Sequence, residues 1–419
     1  MFRFLKSKIK HAGNTLLSLD IGTEFVKALV VQFDAEGKGR ILGVGKSRQK
    51  IGEMQSGAVT DIASVIEHCK EAIAEAERVS SIVPDQLVMG IAGELVKGAN
   101  RTIRYRRHEP HLKIHFEELK NIVHKVQWKA FEQIRSELAH ETGFNEIDVK
   151  LVSAAIVDVQ VDGYRVSNPI GFQGKDVIMT VFNAFAPLIH YGVLQTIAAE
   201  LDISLLAITV EPYGVGRCLE GSPDQKGQNA IFIDVGGGTT DIAVVKDGNV
   251  VGTKIFTIGG RSFTKRISQN LNVSFSEAEE IKLAYAANRL EKQSHKIVQD
   301  TLKSDCDVWL TGITLTLSEF TSVEQLPSKI FLCGGGSHLP EIKTILSQED
   351  WWKSLSFPRK PHVSFLHPQD LPNITDETNL LHDPQDITPM ALAKLGIELA
   401  SEEKILTKIL RKVVRLMQV

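Results

Sequence analysis

Residues 230–256 read AIFIDVGGGTTDIAVVKDGNVVGTKIF, and the fold turns on this stretch. An apolar run ends in Asp234, Gly236, Gly237 and Gly238 with Thr239 and Thr240 make a tight turn, and a second strand leaves at Asp241. Residues 16–45, LLSLDIGTEFVKALVVQFDAEGKGRILGVG, repeat the layout. A strand ends in Asp20, Gly22 and Thr23 turn the chain, a second strand leaves, and a further turn and strand complete the unit. Repetition on this scale predicts two related halves. A chain of 419 residues needs more than one core in any case.

The turns suggest chemistry as well as architecture. Glycines let the backbone fold tightly, so successive N–H groups can point at phosphate oxygens. An Asp at the end of each strand sets a carboxylate where a hydrated Mg²⁺ would stand beside those phosphates. A third cluster, KIFLCGGGSHLPEIKTIL at 329–346, follows an apolar strand and opens a helix. Backbone free of side chains there suits a flat base or ribose. Each cluster alone reads better as a tight strand–helix turn, but three in this order point to a nucleotide cleft.

The composition is that of a globular protein: 43% apolar, 24% charged and 6% aromatic residues. A net charge of −3 gives no general attraction to nucleic acid, and none is expected as a partner. The four cysteines (Cys69, Cys218, Cys306, Cys333) have no metal or redox spacing, which suggests buried thiols in a reducing, cytoplasmic setting. The opening MFRFLKSKIKHAGN is basic but lacks the apolar run of a secretion signal, and no stretch reaches the roughly 20 apolar residues of a membrane span.

The reading along the chain gives a basic tail at 1–14, the first half of lobe I at 15–94, and an inserted α+β unit at 95–175. The remainder of lobe I follows at 176–225, then lobe II at 226–388, a closing helix at 389–400 and an amphipathic helix at 401–419. Within this plan a helix is predicted over 60–79 and a strand over 86–93, with 350–388, rich in Pro, Asp and His, as an irregular surface excursion.

These motifs resemble the actin, sugar-kinase and heat-shock ATPases, which implies an α/β fold of two ribonuclease-H-like halves with ATP and Mg²⁺ between them. The resemblance implies that Asp20 and Asp234 support the hydrated ion, and that Gly22, Thr23, Lys27, Gly236, Gly237, Gly238, Thr239 and Thr240 line the phosphates. Gly334, Gly335, Gly336 and Ser337 would pack near the adenosine. Ile208–Pro212 resembles the first connecting motif, which makes Glu211 the candidate that orients the attacking water; without the motifs around it, Glu211 is a surface acid before a helix. Glu279 and Lys282, three apart on one helical face, resemble the pair that reaches ribose and base. An ordinary surface ion pair has the same spacing.

Finer features resemble the bacterial cell-division family FtsA: the insert after the early strands, the run Val161–Gly174 with its Asn-Pro-x-Gly pattern, and Ile258–Thr264 followed by Glu277–Lys282. At the C-terminus Ile405, Leu406, Ile409, Leu410, Val413, Leu416 and Met417 recur at helical spacing, with Lys404, Lys408, Arg411, Lys412 and Arg415 opposite. A helix with one apolar and one basic face suits the surface of an anionic bilayer, or else a terminal helix docked on the protein itself. The resemblance implies a peripheral protein on the cytoplasmic face of the inner membrane at the division site. It would form filaments, anchor the tubulin-like ring protein FtsZ, recruit other division proteins through the insert, and hydrolyse ATP weakly at most.

One departure stands out. Glu24 and Phe25 follow the first turn where division proteins usually carry a small hydroxyl residue and then Lys. A carboxylate there is unfavourable beside phosphates unless it turns away. Lys27 sits where the related pilus protein PilM often has its Lys, so a PilM-like adaptor is the alternative, and a small-molecule kinase a more distant one.

Overall fold

The computed structural model describes residues 14–143, 148–222, 228–348, 350–401 and 409–410. The basic tail except Asn14, and all of the 401–419 segment except Ser401, Ile409 and Leu410, lie outside the described residues.

In chain order the elements are β1 (Thr15–Ile21), β2 (Phe25–Phe33), β3 (Gly39–Arg48), the small hairpin β4 (Met54–Gln55) and β5 (Ala58–Val59), α1 (Ile62–Ser80) and β6 (Gln86–Ile91). Then come β7 (Lys97–Arg106), α2 (Phe116–Thr142), β8 (Val149–Val161), β9 (Tyr164–Arg165), β10 (Asp176–Pro187), α3 (Leu188–Leu201), β11 (Ser204–Val210) and α4 (Glu211–Arg217). The remainder is β12 (Ala230–Val235), β13 (Thr240–Lys246), β14 (Asn249–Phe256), α5 (Gly260–Leu271), α6 (Phe275–Ala286), α7 (Lys292–Ser318), β15 (Lys329–Cys333), α8 (Pro340–Leu346), β16 (His362–Phe365), β17 (Ile374–Asp376) and α9 (Ile387–Ser401).

The strands form a six-stranded sheet, β11-β6-β1-β2-β3-β17, and a nine-stranded sheet, β16-β15-β12-β13-β14-β7-β10-β8-β9. The order β11-β6-β1-β2-β3 matches β16-β15-β12-β13-β14 strand for strand, with the last three antiparallel and the first two added in parallel in both. The internal repeat is therefore topological as well as sequential. Every residue of β1 is buried, as expected for a central strand covered on both faces. The six-stranded sheet is covered by α1 on one side and α9 on the other.

The insert is a helix laid on a sheet. In α2, Leu119, Ile122, Val123, Val126, Ala130, Ile134 and Leu138 recur at helical spacing and are buried. They pack on alternate residues of β8 and β10, including Val159, Val161, Val177, Met179 and Val181. Its four strands join the other five of the nine-stranded sheet through a two-residue pairing of β7 with β14, Gly252 opposite Ala99 and Thr253 opposite Gly98. The stacked rings of Phe182 and Tyr213, 4.2 Å apart, tie it to α4.

The region 350–388 differs from the sequence expectation. Its polar composition predicted a surface excursion, yet it supplies an edge strand to each sheet, β16 and β17. Leu366, Leu371, Ile374 and Leu381 are buried in the core between them. Sparse apolar residues at turn-like spacing carry too little periodicity to reveal such short strands. The four cysteines are buried and unpaired. Among the described residues no helix is long and apolar enough to cross a membrane.

Candidate functional site

The two glycine turns are built alike. Asp20 is the last residue but one of β1 and pairs across the hairpin with Lys27; Asp234 holds the same position in β12 and pairs with Asp241. Each turn closes with a glycine N–H donated to the carbonyl three residues on, Gly22 to Phe25 (3.1 Å) and Gly236 to Thr239 (2.9 Å). One cross-strand partner is a cation and the other an anion, so the two halves differ in charge at an equivalent place.

These turns face each other across a cavity of about 470 Å³, and Gly334–Gly336 form a third wall. Asp20, Gly22, Thr23, Lys27, Glu211, Asp234, Gly236, Gly237, Thr239, Glu279, Lys282, Gly334, Gly335 and Gly336 all line it. Gly334 has φ +82°, and a β-carbon there would lie 2.0 Å from an Asp234 carboxylate oxygen, so only glycine fits.

The structure sends Thr240 and Ser337 elsewhere. Thr240 is fully buried and donates to the Ile258 carbonyl at 2.7 Å while accepting from the Trp309 indole at 2.9 Å. Its hydroxyl holds β13 to α7 rather than a phosphate. Ser337 is buried and donates to the Gly334 carbonyl at 2.7 Å, holding the glycine turn in shape. Gly238 packs against Thr23 rather than lining the cavity.

Glu279 and Lys282 are not a surface pair. Both are nearly buried, 2.8 Å apart, at the cavity's edge. Thr264 donates to Glu279 and accepts from Lys282, and Lys282 also donates to the Gly260 carbonyl at 3.1 Å. The helix that carries them, α6, starts in a capping box between Ser274 and Glu277, which fixes its first turn.

The acids at the floor crowd one another. Burial pushes the Asp20 carboxyl up to about 6, with Asp234 and Asp386 adding to the rise and Lys27 opposing it. Asp234 is also raised by burial, against a hydrogen bond from Thr388 and the charge of Lys27. Asp241 and Glu211 lie well above the ordinary carboxyl range, first through burial and then through neighbouring acids. Lys27, 3.9 Å from Asp20, opposes the rise at Asp20, Asp234 and Glu211, and four buried acids against this one ammonium favour a divalent cation among them. Among the described residues no three acidic, histidine or cysteine side chains approach closely enough to ligate one ion directly. An ion held here would keep much of its water, as Mg²⁺ does.

Several residues at the site escaped the sequence reading. Asp241 is visible in retrospect as the register partner of Asp234. Thr388 and Gln385 come from the stretch before and at the start of α9, and no local signal marks them. Arg261 follows the Gly259-Gly260 turn and spans the cleft.

Two copies of one strand order, with glycine turns facing across an acidic cleft, define the fold of the actin-like ATPases. A solved structure of the PilM–PilN type IV pilus biogenesis complex matches it with a TM-score of 0.63 at 17% identity, covering 93% of this chain and 99% of that one. Within this class the sequence resembles the bacterial cell division protein FtsA, whose family model matches residues 231–385. The FtsA of Pseudomonas aeruginosa is 27% identical over 286 residues, 66% of this chain and 62% of that protein. The FtsA of Enterococcus faecalis is 24% identical over 374 residues, 84% of this chain and 80% of that protein. The match thus spans about three fifths of the Pseudomonas relative and more of the Enterococcus one.

Proposed function

We propose that this chain is an ATP-binding, actin-like protein of bacterial cell division, in which nucleotide acts as a conformational and polymerisation switch. The observation that carries the reading is the convergence of the two glycine turns and the Gly334 turn on one acid-floored cavity. Gly22, Thr23, Gly236, Gly237 and Thr239 would meet phosphates, Lys27 would neutralise them, and Asp20 and Asp234 would hold the water shell of Mg²⁺. The ion would supply the positive charge that the buried acids lack. Glu211 would orient water; burial first, and then the charges of Asp20, Asp241 and Asp234, raise its carboxyl well above the ordinary range.

The same reading has the 401–419 segment attach the protein to the anionic cytoplasmic face of the membrane at the division site. Self-association into filaments, binding of the tubulin-like ring protein FtsZ, and recruitment of further division proteins by the insert belong to it as well. Ile409 and Leu410 are buried, 0% and 3% exposed, in one apolar cluster with residues of the insert that include Ile122, Val126 and Val177. Their apolar face is thus available to lipid only after that contact opens.

Co-sedimentation with anionic vesicles, full length against a truncation after Ser401 and with or without ATP–Mg²⁺, tests the proposal. Loss of lipid binding on truncation is the expected result. If both forms behave alike, the segment is a structural part of the insert and a pilus-type adaptor becomes the better reading. Phosphorylation of a small molecule by the purified protein would replace both with a kinase.

A further inference from the structure

The Arg261 side chain crosses the cleft. Its backbone is fixed to the second glycine turn, since Arg261 N donates to the Gly237 carbonyl and Gly260 N to the Gly236 carbonyl, both at 2.8 Å. Its guanidinium reaches the opposite half: Nε donates to the Glu24 carboxylate, Nη2 to the Thr23 carbonyl at 2.8 Å, and Nη1 to the Met54 carbonyl at 3.3 Å. Glu24 follows the first glycine turn, and a β-carbon on Gly237 would meet its Cγ at 2.9 Å. A carboxylate therefore lies over the second glycine turn, between the two loops that would grip phosphates. Arg48, 3.9 Å from its other oxygen, adds a weaker attraction.

A guanidinium fork binds carboxylate and phosphate in the same geometry, so one can exchange for the other. We propose that Arg261 is a phosphate-binding residue of the cleft, and that Glu24 is a built-in anion which occupies it until nucleotide displaces it. The proposal rests on the nucleotide reading of the cavity. In the nucleotide-free protein the Glu24–Arg261 pair ties the two halves together. A triphosphate entering the cleft takes over Arg261, and the freed Glu24 turns outward toward Arg48. Binding of nucleotide then carries a fixed opposing cost, and it changes how the halves are held.

Calorimetric titration of ATP–Mg²⁺ and ADP–Mg²⁺ into wild type, Glu24→Gln, Arg261→Ala, Arg261→Lys and the Glu24→Gln/Arg261→Ala double variant tests this, with melting curves to confirm folding. Glu24→Gln should tighten ATP binding by about fivefold or more, because the competitor is weakened. Arg261→Ala should weaken it by about 10- to 100-fold. Arg261→Lys should recover only part of the loss. In the double variant the Glu24 substitution should bring no further gain. If Glu24→Gln and Arg261→Ala both weaken binding, the pair is a permanent tie between the halves and the proposal fails. If the folded wild type binds neither nucleotide while Mg²⁺ alone still binds, the nucleotide reading itself has failed.

Discussion

The Lys282 ammonium lies 2.8 Å from the Glu279 carboxylate, three residues earlier on α6, and neither side chain is more than 10% exposed. Their i, i+3 spacing would be worth a few tenths of a kcal/mol on a surface helix. Buried beside Thr264 and the Gly260 carbonyl, the pair is instead a polar cluster in which each member satisfies the others. Lys282→Ala leaves the Glu279 charge buried and should cost about 3 kcal/mol in chemical denaturation. It should also weaken binding of a fluorescent ATP analogue, whereas a purely structural pair would lower stability and leave affinity intact.

Asp234→Asn removes a charge from the cavity floor but keeps an acceptor for the Thr388 hydroxyl. The folded protein should survive and lose Mg²⁺-dependent ATP binding. Titration of ATP with and without Mg²⁺ gives the answer, and unaltered affinity would count against the site.

The raised acids set a pH dependence. A carboxyl whose pKa is higher in the folded state takes up its proton more readily there than in the unfolded chain. For Asp20, shifted from 3.8 to about 6, folding is favoured as the pH falls through about 6 toward 4 and penalised as it rises. The rises at Asp234, Asp241 and Glu211 have the same sign. Melting curves without divalent ions should therefore show a contribution from these groups that favours pH 5 over pH 7. Mg²⁺ with ATP should reverse that contribution by stabilising the ionised forms; an unchanged pH profile on adding both would argue against an ion at these acids.

Thr240→Val should separate stability from binding. It leaves the Ile258 carbonyl and the Trp309 indole without their buried partner and should cost about 1–3 kcal/mol. Trp309 fluorescence should shift, while nucleotide affinity measured well below the melting temperature stays near that of wild type.

The seat of the C-terminal segment can be read with a dye. The four native cysteines and Leu410 are all buried, so a thiol introduced by Leu410→Cys is labelled in a variant whose native cysteines are replaced by Ala. An environment-sensitive dye there should report apolar surroundings in the absence of lipid, where the structure buries Leu410 against the insert. Water-like emission without vesicles would contradict that seat. Substituting Glu at Leu410 and Val413 should release the protein from anionic vesicles, because charges would then occupy the lipid-facing side.

Sequence alone determined the repeated half, because a strand ending in Asp, a glycine turn and a departing strand are local patterns with local causes. It also brought Asp20, Asp234 and the Gly334 cluster together as one constellation, since each motif announces its own backbone conformation. Contacts between distant segments were decided by tertiary structure. Nothing near residue 24 indicates that its carboxylate meets Arg261, and nothing near residue 388 that its hydroxyl meets Asp234. The hydroxyls of Thr239 and Thr240 look alike in the sequence, yet one lines the cavity and the other is used in the core. Thr239 lies in the turn ahead of β13, whereas Thr240 is the first residue of the strand and meets Trp309 of α7. The 350–388 stretch became two edge strands for the same reason, because open sheet edges were available to pair with it. Local chemistry set the turns, and the burial of one half against the other set their use.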